Sequence, residues 1–143
     1  MARFGEHAVG LAFTSDRFDH TSELPPDANA GNRFYGRDVA EFTSAGLTAR
    51  GLEASFLDED WGWQVHAKRP DGSVLEISIY HNIDEDPATE DDWELMLRLL
   101  VKGRALGIVP RFREIEVDAQ AIAALEDAFG EAGIELRRTT RFD

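Results

Sequence analysis

Asp58-Glu59-Asp60-Trp61-Gly62-Trp63-Gln64-Val65-His66 sets three carboxylates, two tryptophans and a histidine into nine positions. Residue types like these serve three chemistries. Several carboxylates from neighbouring loops are what a hard cation such as Ca²⁺ takes. A histidine beside carboxylates is the acid–base equipment of a hydrolase. Aromatics ringed by acids offer a basic protein an anchor and a steering field. A fourth reading needs no function, because solvated strand ends collect acids for solubility alone. Two further acidic runs, Asp84-Glu85-Asp86 and Glu90-Asp91-Asp92, lie downstream.

Motifs do not decide among these. Read as an EF-hand loop, residues 84–95 place Asp84 and Asp86 correctly, then put Ala88 at position five, Thr89 where glycine is needed and Leu95 where the bidentate glutamate belongs. The sequence contains no HExxH pair, no phosphate-binding glycine loop, no GxGxxG after a strand and no GxSxG elbow. Cysteine is absent, which removes disulfides, thiolate metal sites and cysteine nucleophiles and suits a reducing compartment.

What would bring the acids together is a β-hairpin. Pro70-Asp71-Gly72 has the composition of a three-residue hairpin turn with glycine in the left-handed region. If Arg69 faces Ser73, then Ala67 faces Leu75, Val65 faces Ile77, Trp63 faces Ile79 and Trp61 faces His81 on one side. Lys68–Val74, His66–Glu76, Gln64–Ser78 and Gly62–Tyr80 then pair on the other. A one-residue slip would destroy this match. Trp63 and Trp93 fall on core faces, and Trp61 is the tryptophan expected to be part exposed.

Trp61 and His81 then sit at the open end of the hairpin, with Asp58, Glu59 and Asp60 leading in and Asp84, Glu85 and Asp86 leading out. If Trp93 starts a strand beside Ile79, the run 90–92 arrives there too. The binding set expected at this edge is Asp58, Glu59, Asp60, Trp61, Tyr80, Asp84 and Asp86. A metal-dependent or acid–base hydrolase, or a sensor of a small cation, would use Asp58, Asp60, Asp84, Asp86 and His81 instead. His66 with Glu76 is a second acid–base pair by register. His7 and His20 have no site-forming neighbours in sequence.

The remaining elements follow from periodicity. Residues 7–14 read as a strand and 15–35 as a long loop, of a length that is uncommon in a compact domain and often functional. Residues 36–51 read as a helix with Val39, Phe42, Ala45 and Leu47 on its apolar face, and 52–57 as a strand. Residues 93–103 fit both periods and are taken as a strand, because the hairpin needs a partner. Asp118 caps a helix over 118–133, and 134–138 reads as a short last strand. This is a single α+β domain over 1–143, with about five strands, mostly antiparallel, around the 61–81 hairpin and two helices on one face. A parallel crossover through the 36–51 helix joins the first strand to the second.

Net charge is −13, and residues 1–97 hold 20 acids against 7 bases while 98–143 hold eight of each. That field repels nucleic acid and anionic membranes and attracts basic proteins. Arg98, Arg104, Arg111, Arg113, Arg137, Arg138 and Arg141 would face the acids of a second copy in a homodimer. The first sixteen residues lack the apolar run of a signal peptide, since Glu6, His7 and Gly10 interrupt it, and no stretch approaches a membrane span. Two lysines among 15 basic residues, with many alanines, suggest a GC-rich bacterial gene. The expectation is a small acidic cytoplasmic protein without cofactor: a non-enzymatic binding module, inhibitor- or immunity-like, that docks a basic partner.

Overall fold

The Pro70-Asp71-Gly72 turn closes as its composition requires. Gly72 takes φ +89°, Gly72 N–H donates to the Arg69 carbonyl at 2.9 Å, and Arg69 N–H to that of Ser73 at 2.8 Å. The computed structural model to which the turn belongs describes residues 7–24, 34–59, 61–106 and 109–140, with backbone alone at 103–106 and 109–111. From the turn the ladder runs Lys68↔Val74, Ala67↔Leu75, His66↔Glu76, Val65↔Ile77, Gln64↔Ser78 and Trp63↔Ile79, the register the apolar pairs demand.

The chain is α+β, with two helices and a seven-stranded antiparallel sheet among the described residues. The strands are β1 (Val9–Thr14), β2 (Glu53–Glu59), β3 (Gly62–Lys68), β4 (Val74–His81), β5 (Asp92–Leu106), β6 (Val109–Ile115) and β7 (Arg137–Thr139). Their order is β2-β3-β4-β5-β1-β7, with β6 also on β5. β1 pairs with the first half of β5 and β6 with the second, so both lie end to end along one side of that strand.

The sheet exceeds the expected count of about five, and the strand with no counterpart in the sequence reading is β6. β5 is a full strand of 15 residues that runs past Gly103 and folds back on itself as β6. Pro110 and a cluster of charges hide β6 in the sequence. Trp93 pairs with His81, two positions further along than expected, and Ile79 pairs with Leu95. β1 and β2 point the same way, as every intervening pair is antiparallel, but three strands lie between them.

α1 (Arg37–Ala49) makes that crossing and packs against β2 and β3. At its start a Cβ on Gly36 would lie 3.2 Å from Ile79 and 3.3 Å from Trp63. Its buried face is Val39, Ala40, Thr43, Ser44 and Leu47; Ala45, expected there, is exposed. α2 (Ala119–Gly130) starts at Asp118, whose carboxylate accepts the Ala121 N–H at 3.0 Å. Phe129 of α2 meets Phe13 of β1 at 5.1 Å and Phe42 of α1 at 5.0 Å. The helices touch where Gly46 faces Ala128.

The sheet's apolar face carries Leu11 and Phe13, Trp63, Val65 and Ala67, Leu75, Ile77 and Ile79, and Trp93, Leu95, Leu97 and Leu99, all buried. Phe18, from the loop after β1, drops into this core at 6.0 Å from Trp93. Among the described residues no helix is long and apolar enough to cross a membrane.

Candidate functional site

The end of the sheet opposite the Pro-Asp-Gly turn gathers the last residues of β2, β4 and β1 and the first of β3 and β5. Gly62, at φ +152°, turns the chain between the two tryptophans. That conformation is open mainly to glycine. Trp63 therefore points into the core and bonds the Phe34 carbonyl through Nε1 at 2.9 Å, whereas Trp61 swings out and stacks on Tyr80 at 5.4 Å and 25°. Trp61 does not face His81 as the bare register implied. Burial raises the Tyr80 hydroxyl above its ordinary pKa, against a bond to Ser78 that lowers it, so the phenol stays protonated.

Beside this stack runs a groove of about 490 Å³ whose lining includes Phe34, Tyr35, Trp61, Tyr80, His81 and Ile83. Phe34 is 46%, Ile83 37% and Trp61 36% exposed, so three of the four exposed large hydrophobic side chains among the described residues line one groove. Glu85 is the one carboxylate that lines it among them. Glu59 closes β2 opposite Gly62, and Glu94 pairs with Tyr80. Asp84 and Asp86 lie exposed in the β4–β5 turn, where Asp86 accepts the Ala88 N–H at 2.9 Å to cap a 3₁₀ turn, Pro87–Thr89.

These acids share an end of the sheet but not a point. Asp58 pairs with Trp63 on the apolar face and Glu59 with Gly62 on the polar one. β2 lies two ladder steps from β4 and three from β5. At about 4.8 Å per step this separates Asp58 from the β4–β5 turn by roughly 10–14 Å. Among the described residues no three His, Asp or Glu side chains converge as a metal ion would need. Asp60 lies outside the described residues.

His81 lines the groove and is held by several neighbours. Its Nε2 donates to the Glu90 carbonyl at 2.6 Å, and its ring meets Trp93 at 4.5 Å, His20 at 5.2 Å and Tyr35 at 5.7 Å. His20, which sequence reasoning left aside, bonds Asp91 through Nε2 at 2.9 Å. The described parts of the 15–35 loop, residues 15–24 and 34–35, thus strap this end of the sheet, and residues 25–33 lie outside the described residues. Within the strap the Thr21 and Ser22 N–H groups bond the Asp19 carboxylate and, with the Ser22 hydroxyl, hold its pKa down to about 2.

The polar face holds a second cluster. His66 and Glu76 are cross-strand partners, 3.7 Å apart. The closer partner of His66 Nε2 is Gln64 Oε1 at 2.7 Å, and Gln64 Nε2 in turn donates to Ser78 Oγ at 3.1 Å. Since the amide oxygen only accepts, Nε2 carries the proton. Glu76 is instead held by Arg98, whose Nε and Nη2 reach its Oε1 at 2.9 and 2.5 Å, while Nη1 lies 3.5 Å from Glu114. Sequence reasoning paired His66 with Glu76 but missed the Arg98–Glu76–Glu114 cluster. Its signal, Arg98 across from Glu76, appears only once β4 and β5 are in register. Arg98 is buried, so it is withdrawn from the surface on which a homodimer was expected. Arg113, Arg137 and Arg138 are exposed, the side chains of Arg104 and Arg111 are not described, and Arg141 lies outside the described residues.

Comparison with protein-family models, with curated proteins and with solved structures returns no match.

Proposed function

We propose that the chain is a non-enzymatic protein-binding module, inhibitor- or immunity-like, that docks a basic partner at the acidic end of its sheet. One observation carries the reading: Phe34, Trp61 and Ile83 expose large apolar surface into the same groove. Singly exposed apolar residues are ordinary, but a contiguous set with a charged rim is the usual form of a recognition patch. The groove would take an apolar or aromatic side chain of the partner. Glu59, Asp84, Glu85 and Asp86 around it would meet the partner's cations and speed encounter. Tyr80 backs Trp61, so the anchor is stiff before contact and loses little entropy on binding.

Acid–base hydrolysis at His81 has less support. The Nε2 proton of that ring is committed to a backbone carbonyl, and its faces are packed.

The test compares affinity capture by the wild-type chain with capture by Trp61→Ala and Ile83→Asp. Both sites are part exposed, so both variants should keep the wild-type unfolding midpoint within a few degrees. A basic protein held by wild type should bind Trp61→Ala about thirtyfold more weakly, the loss of a 2 kcal/mol anchor. Its on-rate should fall steeply with salt. Equal capture by all three chains would overturn the reading.

A further inference from the structure

We infer that the outer edge of β2 accepts an added strand from the basic partner, extending the antiparallel sheet alongside the Trp61 groove. The inference rests on the docking reading and supplies its main-chain component. β2 ends the strand order, and among the described residues nothing pairs with its outer side. Seven residues at about 3.4 Å each give an edge roughly 23 Å long, enough for a complete added strand. It also leads straight to the groove, since Glu59 closes β2 two positions before Trp61.

Charge selects the occupant. β2 carries Glu53, Asp58 and Glu59 and no base. A second copy paired about a twofold axis at Phe56 would set Glu53 against Glu59 twice, and like charges directly opposite destabilise a ladder. A basic segment meets the opposite situation. On the polar face its cations would lie beside Glu53 and Glu59, and on the apolar face its aliphatic residues beside Ala54 and Phe56. Asp58 lies on the apolar face beside Trp63, so the added strand's cations are matched by Glu53 and Glu59 alone.

The probe is an acetylated, amidated peptide of alternating lysine and valine, as long as β2, with amide hydrogen exchange of the intact chain read residue by residue. The expected result is severalfold slower exchange at the outward amides of 53–59. A glutamate–valine peptide should produce none of this, nor should the lysine–valine peptide N-methylated at the amides on one edge. Peptide that perturbs Trp61 and Ile83 but leaves β2 exchange unchanged would overturn strand addition while the groove reading stands. Equal protection by the N-methylated peptide would also overturn it, since main-chain pairing would then be absent. Protection that grows with protein concentration alone would assign the edge to a second copy instead. No slowing at millimolar peptide would refute strand addition, and the Trp61→Ala capture experiment would decide the groove separately.

Discussion

Arg98→Met should separate structure from chemistry on the polar face. The guanidinium is nearly enclosed, with 9% of its side-chain surface exposed, and it lies between Glu76 at 11% and Glu114 at 9%. Methionine fills similar volume but removes the positive charge, leaving two carboxylates turned toward one another in a site that water barely reaches. Breaking a buried pair in this way costs about 3–5 kcal/mol, against at most about 1 for an exposed one. Unfolding entropy for a chain of this size converts that loss into a fall of roughly 10–17 °C in Tm. Urea unfolding at neutral pH measures it directly. The triple variant Glu76→Leu, Arg98→Met, Glu114→Leu should recover most of the loss, since well-packed apolar side chains commonly match a buried ion cluster or exceed it. Two results would refute the reasoning: a loss under about 1 kcal/mol for Arg98→Met, which would mean that solvent screens the cluster, or a triple variant no better than the single one.

Three other outcomes follow from the geometry. Asp118 caps α2 and also takes Arg69 at 2.8 Å, and that bond chiefly holds its pKa below the ordinary 3.8. Its contribution is therefore complete above the unfolded value and is lost as pH falls through the lower folded one, so urea midpoints should drop below about pH 4. Asp118→Asn keeps the cap and should flatten that acid slope, whereas Asp118→Ala should cost about 1 kcal/mol more at neutral pH. Gly46→Ala gains about 1 kcal/mol of helix propensity, yet its new Cβ would lie 2.8 Å from that of Ala128. Overpacking of about 1–3 kcal/mol should win, and a double-mutant cycle with Ala128→Gly should show favourable coupling. Finally, metal-stripped protein should keep its Tm within about a degree in millimolar Ca²⁺, Mg²⁺, Mn²⁺ or Zn²⁺, where a site filled at a hundredfold its Kd would add about 2.7 kcal/mol, or roughly 9 °C.

The hairpin was legible because each of its paired positions constrains the others. Pro70-Asp71-Gly72 sets the loop length, and the alternation of Trp63, Val65 and Ala67 against Leu75, Ile77 and Ile79 admits one register. The cap at Asp118 was legible for a similar reason, since a short side-chain oxygen ahead of an apolar helix has one common use. β6 was not, because an edge partner with Pro110 and three charged residues in seven reads like a loop until a long β5 is there to receive it.

The acidic end shows where reasoning from sequence loses a dimension. Pairing arguments place residues along strands, and by that measure Asp58, Asp84 and Asp86 all arrive at the same end. They say little about order across the sheet or about the face on which each side chain emerges. A cation needs its oxygens within a few ångströms of one centre, so a lateral gap of two or three strands is fatal to a shared site. A docking partner has no such requirement, because an interface of ordinary size spans far more than that gap and gains from charge spread along its rim. The dispersal that counts against a metal centre is the arrangement an encounter surface needs. Gly62 then supplies what charge alone does not, by turning one of two neighbouring tryptophans into the core and the other out onto Tyr80, where a partner can reach it.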